Sequence, residues 1–108
     1  MIKNAIIEKA TISNDDHGLL TAWIMLDYGD GGHQGFGGFA LYLPENSYRK
    51  SGDCTGKFIF RCLQIAGVTN WEKLNGRTIR VDCEPLGEIK AIGHIVKEDW
   101  FCPKTDLV

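Results

Sequence analysis

A chain of 108 residues, 44% apolar and 24% charged, is long enough for one domain around one core and too apolar for disorder over most of its length. Its 12 basic and 14 acidic residues give a net charge of −2, which speaks against general nucleic-acid coating, since neutralising phosphates takes a basic surplus; a local patch of either sign stays open. No run approaches the ~18 apolar residues of a membrane span, and Met1-Ile2-Lys3-Asn4 followed by Glu8 and Lys9 is no signal peptide, so a cytoplasmic protein without membrane contact is expected.

Residues 2–12 read as a strand, with Ile2, Ile6, Ile7 and Ile12 favouring extended backbone. Asn14 to Gly18 is a turn. Residues 19–28 form the clearest strand: Leu20, Ala22, Ile24, Leu26 and Tyr28 line one face, and Leu19, Thr21, Trp23, Met25 and Asp27 the other. That second face is also mostly apolar, so it calls for a cover, from the chain or from a partner. A glycine-rich loop, Gly29 to Gly38, leads into a strand predicted at about 36–43, with Phe39, Leu41 and Leu43 on one face.

Residues 44–55 read as a polar connection. A helix is predicted over about 55–66, capped by Thr55 or Asp53, with Phe58, Ile59, Cys62, Leu63 and Ala66 on one face and Gly67 as its left-handed stop. A single helical turn at 70–74 precedes strands at 77–83 and 88–96, separated by Pro85-Leu86-Gly87. The tail carries Trp100, Phe101 and Pro103. The expected fold is α+β: one domain over 1–108, with an antiparallel sheet of about five strands in the order βββ-α-ββ and one main helix packed on one face. Trp23 and Met25 then lie on the other face, where the aromatic tail or a second copy would cover them.

The glycine loop is the most unusual feature. It reads either as a hairpin connection with glycines at tight turns or as a ligand or partner surface. Gly35-Phe36-Gly37-Gly38-Phe39-Ala40 matches the dinucleotide fingerprint only by letter, because it precedes a strand instead of opening a helix. Gly52 to Phe58 resembles a phosphate-binding loop, but it is one residue short and places Phe58 where a hydroxyl must reach Mg²⁺.

Cys54, Cys62, Cys83 and Cys102 are expected as reduced, structural thiols. No ligand pair stands at metal-binding spacing, and a zinc site gathered from Cys54, Cys102, His17 or His33 has no signal. His94 sits in an apolar stretch, as structural histidines do, and His17 belongs to a polar turn. Trp71, Trp100 and Phe101 suit core edges better than interface anchors. No catalytic residue, metal or cofactor is expected, and the chain reads as a binding protein, not an enzyme.

One resemblance covers nearly the whole chain. It rests on Asp16-His17-Gly18 before an apolar strand, Gly35-Phe36-Gly37-Gly38, Trp71-Glu72-Lys73-Leu74-Asn75-Gly76 before an Ile-Arg-Val strand, Ala91-Ile92-Gly93-His94-Ile95, and Trp100-Phe101-Cys102-Pro103. In these the chain resembles small accessory proteins of phages, prophages and mobile elements. The resemblance names no chemistry. It implies stoichiometric action on a host defence protein, as in the anti-CRISPR proteins that act on a CRISPR effector. The alternatives are an oligomeric sponge for a nucleotide immune signal, with Arg49 or Lys50 near the phosphate, and a phage structural or assembly protein. The residues expected to bind a partner are Asp30, His33, Gln34, Phe36, Tyr48, Arg49, Trp23 and Met25, with a homodimer through the Trp23 and Met25 face as a further option. Asp27, Asp30 and Glu45 would meet basic surfaces of the partner.

Overall fold

Alternating apolar residues draw the first part of the chain into strands. In the computed structural model β1 spans Ile2–Asp16, β2 Leu19–Asp27 and β3 His33–Gly37. The helix α1 spans Tyr48–Ala66, and a 3₁₀ turn covers Trp71–Lys73. Then come β4 (Thr78–Cys83), β5 (Ile89–Gly93), β6 (Trp100–Phe101) and the short helix α2 (Pro103–Asp106). The structure describes residues 1–16, 19–38, 48–85 and 87–107, and for residues 15, 16, 19 and 48–53 the backbone alone. Among these residues the fold is α+β: an antiparallel sheet of six strands, β3-β2-β1-β4-β5-β6, with one main helix. No described helix is long and apolar enough to cross a membrane.

The β2–β3 hairpin shows what the glycines do. Gly29 and Gly31 have φ of 83° and 91°, which side-chain-bearing residues rarely adopt. The Tyr28 amide donates to the Gly32 carbonyl at 3.0 Å, and the Asp27 and Asp30 carboxylates accept the amides of Gly29 and Gly32 at 2.8 and 2.9 Å. These bonds close the loop early, so β3 starts at His33 and ends at Gly37. The strand expected at 36–43 is corrected to that extent; residues 39–43 lie outside the described residues.

The helix also begins earlier than predicted, at Tyr48, so the described part of the 44–55 connection is helical. Thr55 is not a cap but an interior residue. Its hydroxyl, fully buried, donates to the Leu20 carbonyl at 3.0 Å and ties α1 to β2. The stretch from Gly52 to Phe58 is helix and no phosphate loop. Gly67 does stop the helix, with φ of 71°: its amide bonds the Gln64 carbonyl and the Val68 amide the Leu63 carbonyl, the paired bonds of a Schellman cap. Arg77 adds a second cap through Nε to the Ala66 carbonyl at 3.3 Å.

The last predicted strand, 88–96, is shorter than expected, and a further strand follows it in the tail. β5 stops at Gly93, and His94 holds the following turn: its Nδ1 accepts the amides of Val96 and Lys97, each at 3.0 Å. The chain then pairs back as β6, with Ile92 opposite Phe101 and Gly93 opposite Trp100. His94 is therefore a satisfied structural residue, as expected.

The core lies between the sheet and α1. Ile7, Ile24, Leu26, Ile79, Val81 and Ile92 meet Phe58, Cys62 and Ile65. Phe36, Phe58 and Phe101 form an aromatic centre, with ring centroids 5.5, 5.9 and 6.4 Å apart. Each such side chain contributes about 1.5–3 kcal/mol on burial. All four cysteines are thiols, and burial pushes the Cys62 thiol up. Arg61 joins α1 to the tail: Nη2 donates to Asp99 Oδ1 at 2.7 Å and to the Trp100 carbonyl at 3.1 Å.

Candidate functional site

Strand pairing sorts the sheet into two faces, because directly opposed residues point the same way. Ile24 opposes Phe36, and both enter the core against α1; α2 follows on that side, since Leu107 belongs to the same core. The other face carries Thr11, Trp23 and Gly37 in one row and Lys9, Met25 and Gly35 in the next. Below them come Thr78, Ile6, Asp27 and His33, then Asn4, Arg80, Gly93 and Trp100. Among the described residues no helix lies over this face.

Two tryptophans shape it, each resting on glycine. A Cβ built at Gly35 would sit 3.3 Å from the Trp23 ring and 3.2 Å from Met25 Sδ; one built at Gly38 would collide with the indole at Cζ2. At the other end a Cβ at Gly93 would come within 2.7 Å of Trp100. The glycines let the indoles lie flat on the sheet, the way aromatic residues shelter glycines at sheet edges. Arg80 stacks on Trp100, 4.8 Å from its ring. Arg80 Nε donates to the His94 carbonyl and Nη2 to the Lys97 carbonyl, both at 2.7 Å, while Glu98 accepts from Arg80 Nη1 and from Trp100 Nε1, both at 3.2 Å. Those two donors, the indole first, hold the Glu98 carboxyl below the usual carboxylate range.

Ile6, between the two tryptophans, is 46% exposed. Trp23, Met25, Arg80 and Trp100 are half-buried. A partly exposed face that presents Trp, Met and Arg has the residue types enriched in protein interfaces.

The expected binding residues divide. Trp23 and Met25 lie side by side on the helix-free face, with His33 further down on its rim. Phe36 does not belong with them: it is 4% exposed, packed against Phe58 and Phe101, and the expectation that it contacts a partner is corrected. Gln34 also points to the helix side, where Oε1 accepts from the Tyr28 hydroxyl at 2.7 Å and Nε2 donates to the Gly87 carbonyl at 3.0 Å, so its polar groups tie the fold together. Asp30 stays on the hairpin tip with its carboxylate turned to Gly32. Tyr48 and Arg49 fall in the first turn of α1, where only the backbone is described.

The zinc set drawn from distant residues does not gather. Cys102 follows β6 at one sheet edge and His33 starts β3 at the other; Cys54 is buried in the core, and His17 lies outside the described residues. Sequence reasoning missed Arg80, and it missed Glu8 and Asp27 as neighbours of His33. The strand period gave Asp27 a face, but only pairing shows what stands opposite.

No known family model matches the chain, and neither curated proteins nor solved structures match it. What it does has to be read from its own surfaces.

Proposed function

We propose that this chain is a non-enzymatic binding protein that docks onto another protein through the helix-free face of its sheet. Trp23 with Met25 anchors one end of the contact and Trp100 with Arg80 the other. The observation that carries this reading is the fixed placement of both tryptophans on glycine, on a face that no described helix covers. Aromatic side chains held flat before binding lose little entropy on contact. The phage-accessory resemblance makes a host defence protein, such as a CRISPR effector, the partner to test first, acting in the host cytoplasm. Blocking by occupancy needs no catalytic group.

The nucleotide-sponge alternative has less support at the glycine loop. The amides of Gly29 and Gly32 that would cradle a phosphate are taken by Asp27 and Asp30, whose charge repels one.

The test pairs an activity with a complex. Cells carrying a CRISPR system that restricts a phage are plated with that phage while expressing the chain, and the chain is purified from them for native mass spectrometry. Restored plaquing and a chain–effector complex of fixed stoichiometry are expected, both lost with Met25→Asp and Trp100→Ala together and both kept with Phe60→Ser on the helix side. A complex that survives the double substitution would move the contact elsewhere. A homodimer lost with the same substitutions, without effect on plaquing, would assign the face to self-association and favour the assembly reading.

A further inference from the structure

Three strands bring three metal-ligating side chains together at the lower rim of the helix-free face. Asp27 and His33 oppose each other across the β2–β3 pair, so both side chains leave the sheet on the same side. Glu8 arrives by a different route. The β1–β2 register slips between Ile7 and Lys9: Ile7 opposes Leu26 and Lys9 opposes Met25, with Glu8 as the extra residue of a bulge. Bulges re-aim side chains, and this one brings Glu8 Oε1 to 3.0 Å from His33 Nδ1. One ligand atom from each of Glu8, Asp27 and His33 lies within 4.8 Å of the other two. An ion about 2.1 Å from each ligand holds them roughly 3–4 Å apart, so small side-chain rotations close the set. Asp27 is already oriented, because its Oδ1 accepts the Gly29 amide at 2.8 Å, which leaves the second oxygen to point at an ion.

We infer that Glu8, Asp27 and His33 form a binding site for a divalent transition-metal ion of the zinc or manganese type. The donor set decides the class. One imidazole with two carboxylates suits Zn²⁺ or Mn²⁺ better than Mg²⁺ or Ca²⁺, which take oxygen alone, and the absence of a thiolate from the set disfavours Cu⁺. Three protein ligands leave coordination positions open to water or to a side chain from outside the chain. This site stands or falls independently of the docking face.

Isothermal titration of the intact chain with ZnCl₂ and with MnCl₂ tests it, alongside His33→Ala, Asp27→Asn and Glu8→Gln. Because the four thiols can also bind zinc, the imidazole signals of the three histidines are followed by NMR in the same titration. The expected result is one ion per chain, a selective shift of the His33 ring, and at least a tenfold loss of affinity in His33→Ala and Asp27→Asn. Glu8 and His33 are exposed, and Asp27→Asn keeps the oxygen that accepts the Gly29 amide, so the variants should melt like the parent protein without metal, which separates lost ligation from lost folding. Absence of binding at hundreds of micromolar metal, or binding that is unchanged in His33→Ala and Asp27→Asn, would reduce the cluster to a surface ion pair.

Discussion

β2 carries two apolar faces one residue apart, and the chain treats them differently. Ala22, Ile24 and Leu26 are fully buried against α1. Trp23 and Met25 on the other side are half-buried, lying over Gly35 and Gly38. On the helix side, apolar area is removed from water by a second layer. On the far side, broad side chains lie along the sheet and cover missing Cβ atoms. Two faces of one strand are therefore built differently: one is sealed into the core, and the other leaves a partly exposed apolar surface, the one on which the docking proposal rests.

Single substitutions can break that contrast. The largest effect is expected for Phe58→Ala, which empties the aromatic centre and should cost about 3–5 kcal/mol in urea unfolding. Trp23→Ala should cost less than half as much. Equal losses would make the far face a second core and remove the argument for docking.

The glycines give the next test. Gly37 has φ of 119°, and a Cβ there would collide with the Ala22 carbonyl oxygen and come within 2.8 Å of Phe58. Gly37→Ala should therefore cost about 3 kcal/mol, combining backbone strain with overpacking. At Gly93 the three atoms nearest to a Cβ all belong to the Trp100 ring, a half-buried side chain that yields at less cost than the backbone carbonyl met at Gly37. Gly93→Ala should cost about 1 kcal/mol and red-shift the tryptophan fluorescence as the indole enters water. Equal costs at the two positions would show that Trp100 is as fixed as the core.

Smaller effects come from the polar ties. Arg61→Ala removes the bonds to Asp99 and to the Trp100 carbonyl and should cost about 1 kcal/mol. The same contact predicts an acid limb. The hydrogen bond from Arg61 holds the Asp99 carboxyl below its ordinary value, and Glu98 is lowered likewise. The unfolded chain then takes up protons first, so this stabilisation is whole above the ordinary carboxylate range of about 4 and is lost as pH falls through the lowered folded values. Tyr28 works at the other end. Burial first, and the neighbouring Cys83 next, push its hydroxyl from 10.0 up to about 12, so its contribution is whole below 10 and disappears as pH rises through that window. A pH series of melting temperatures checks both limbs, and Arg61→Ala should flatten the acid one. The smallest effect is expected for Phe60→Ser: that ring is 60% exposed on the helix, and its loss should stay within about 0.5 kcal/mol.

By itself the sequence determined the parts whose cause is local. Alternation over 19–28 assigned each residue of β2 to its face, because a strand's side chains must alternate. Gly67 marked the helix end, because a left-handed residue is needed there. The glycine run reads as a hairpin with tight turns, and one hydrophobic stripe on 55–66 was enough to place a helix against a sheet. Tertiary structure alone decided what depends on partners distant in the chain. It made Thr55 an interior tie instead of a cap, its hydroxyl donating to the Leu20 carbonyl of a strand 35 residues away in sequence. It folded 88–101 into two strands around His94, and it put Phe36 in the core when its loop setting suggested a surface. It also brought Glu8 to His33, because the consequence of a bulge is written in the register between two strands and in neither strand alone.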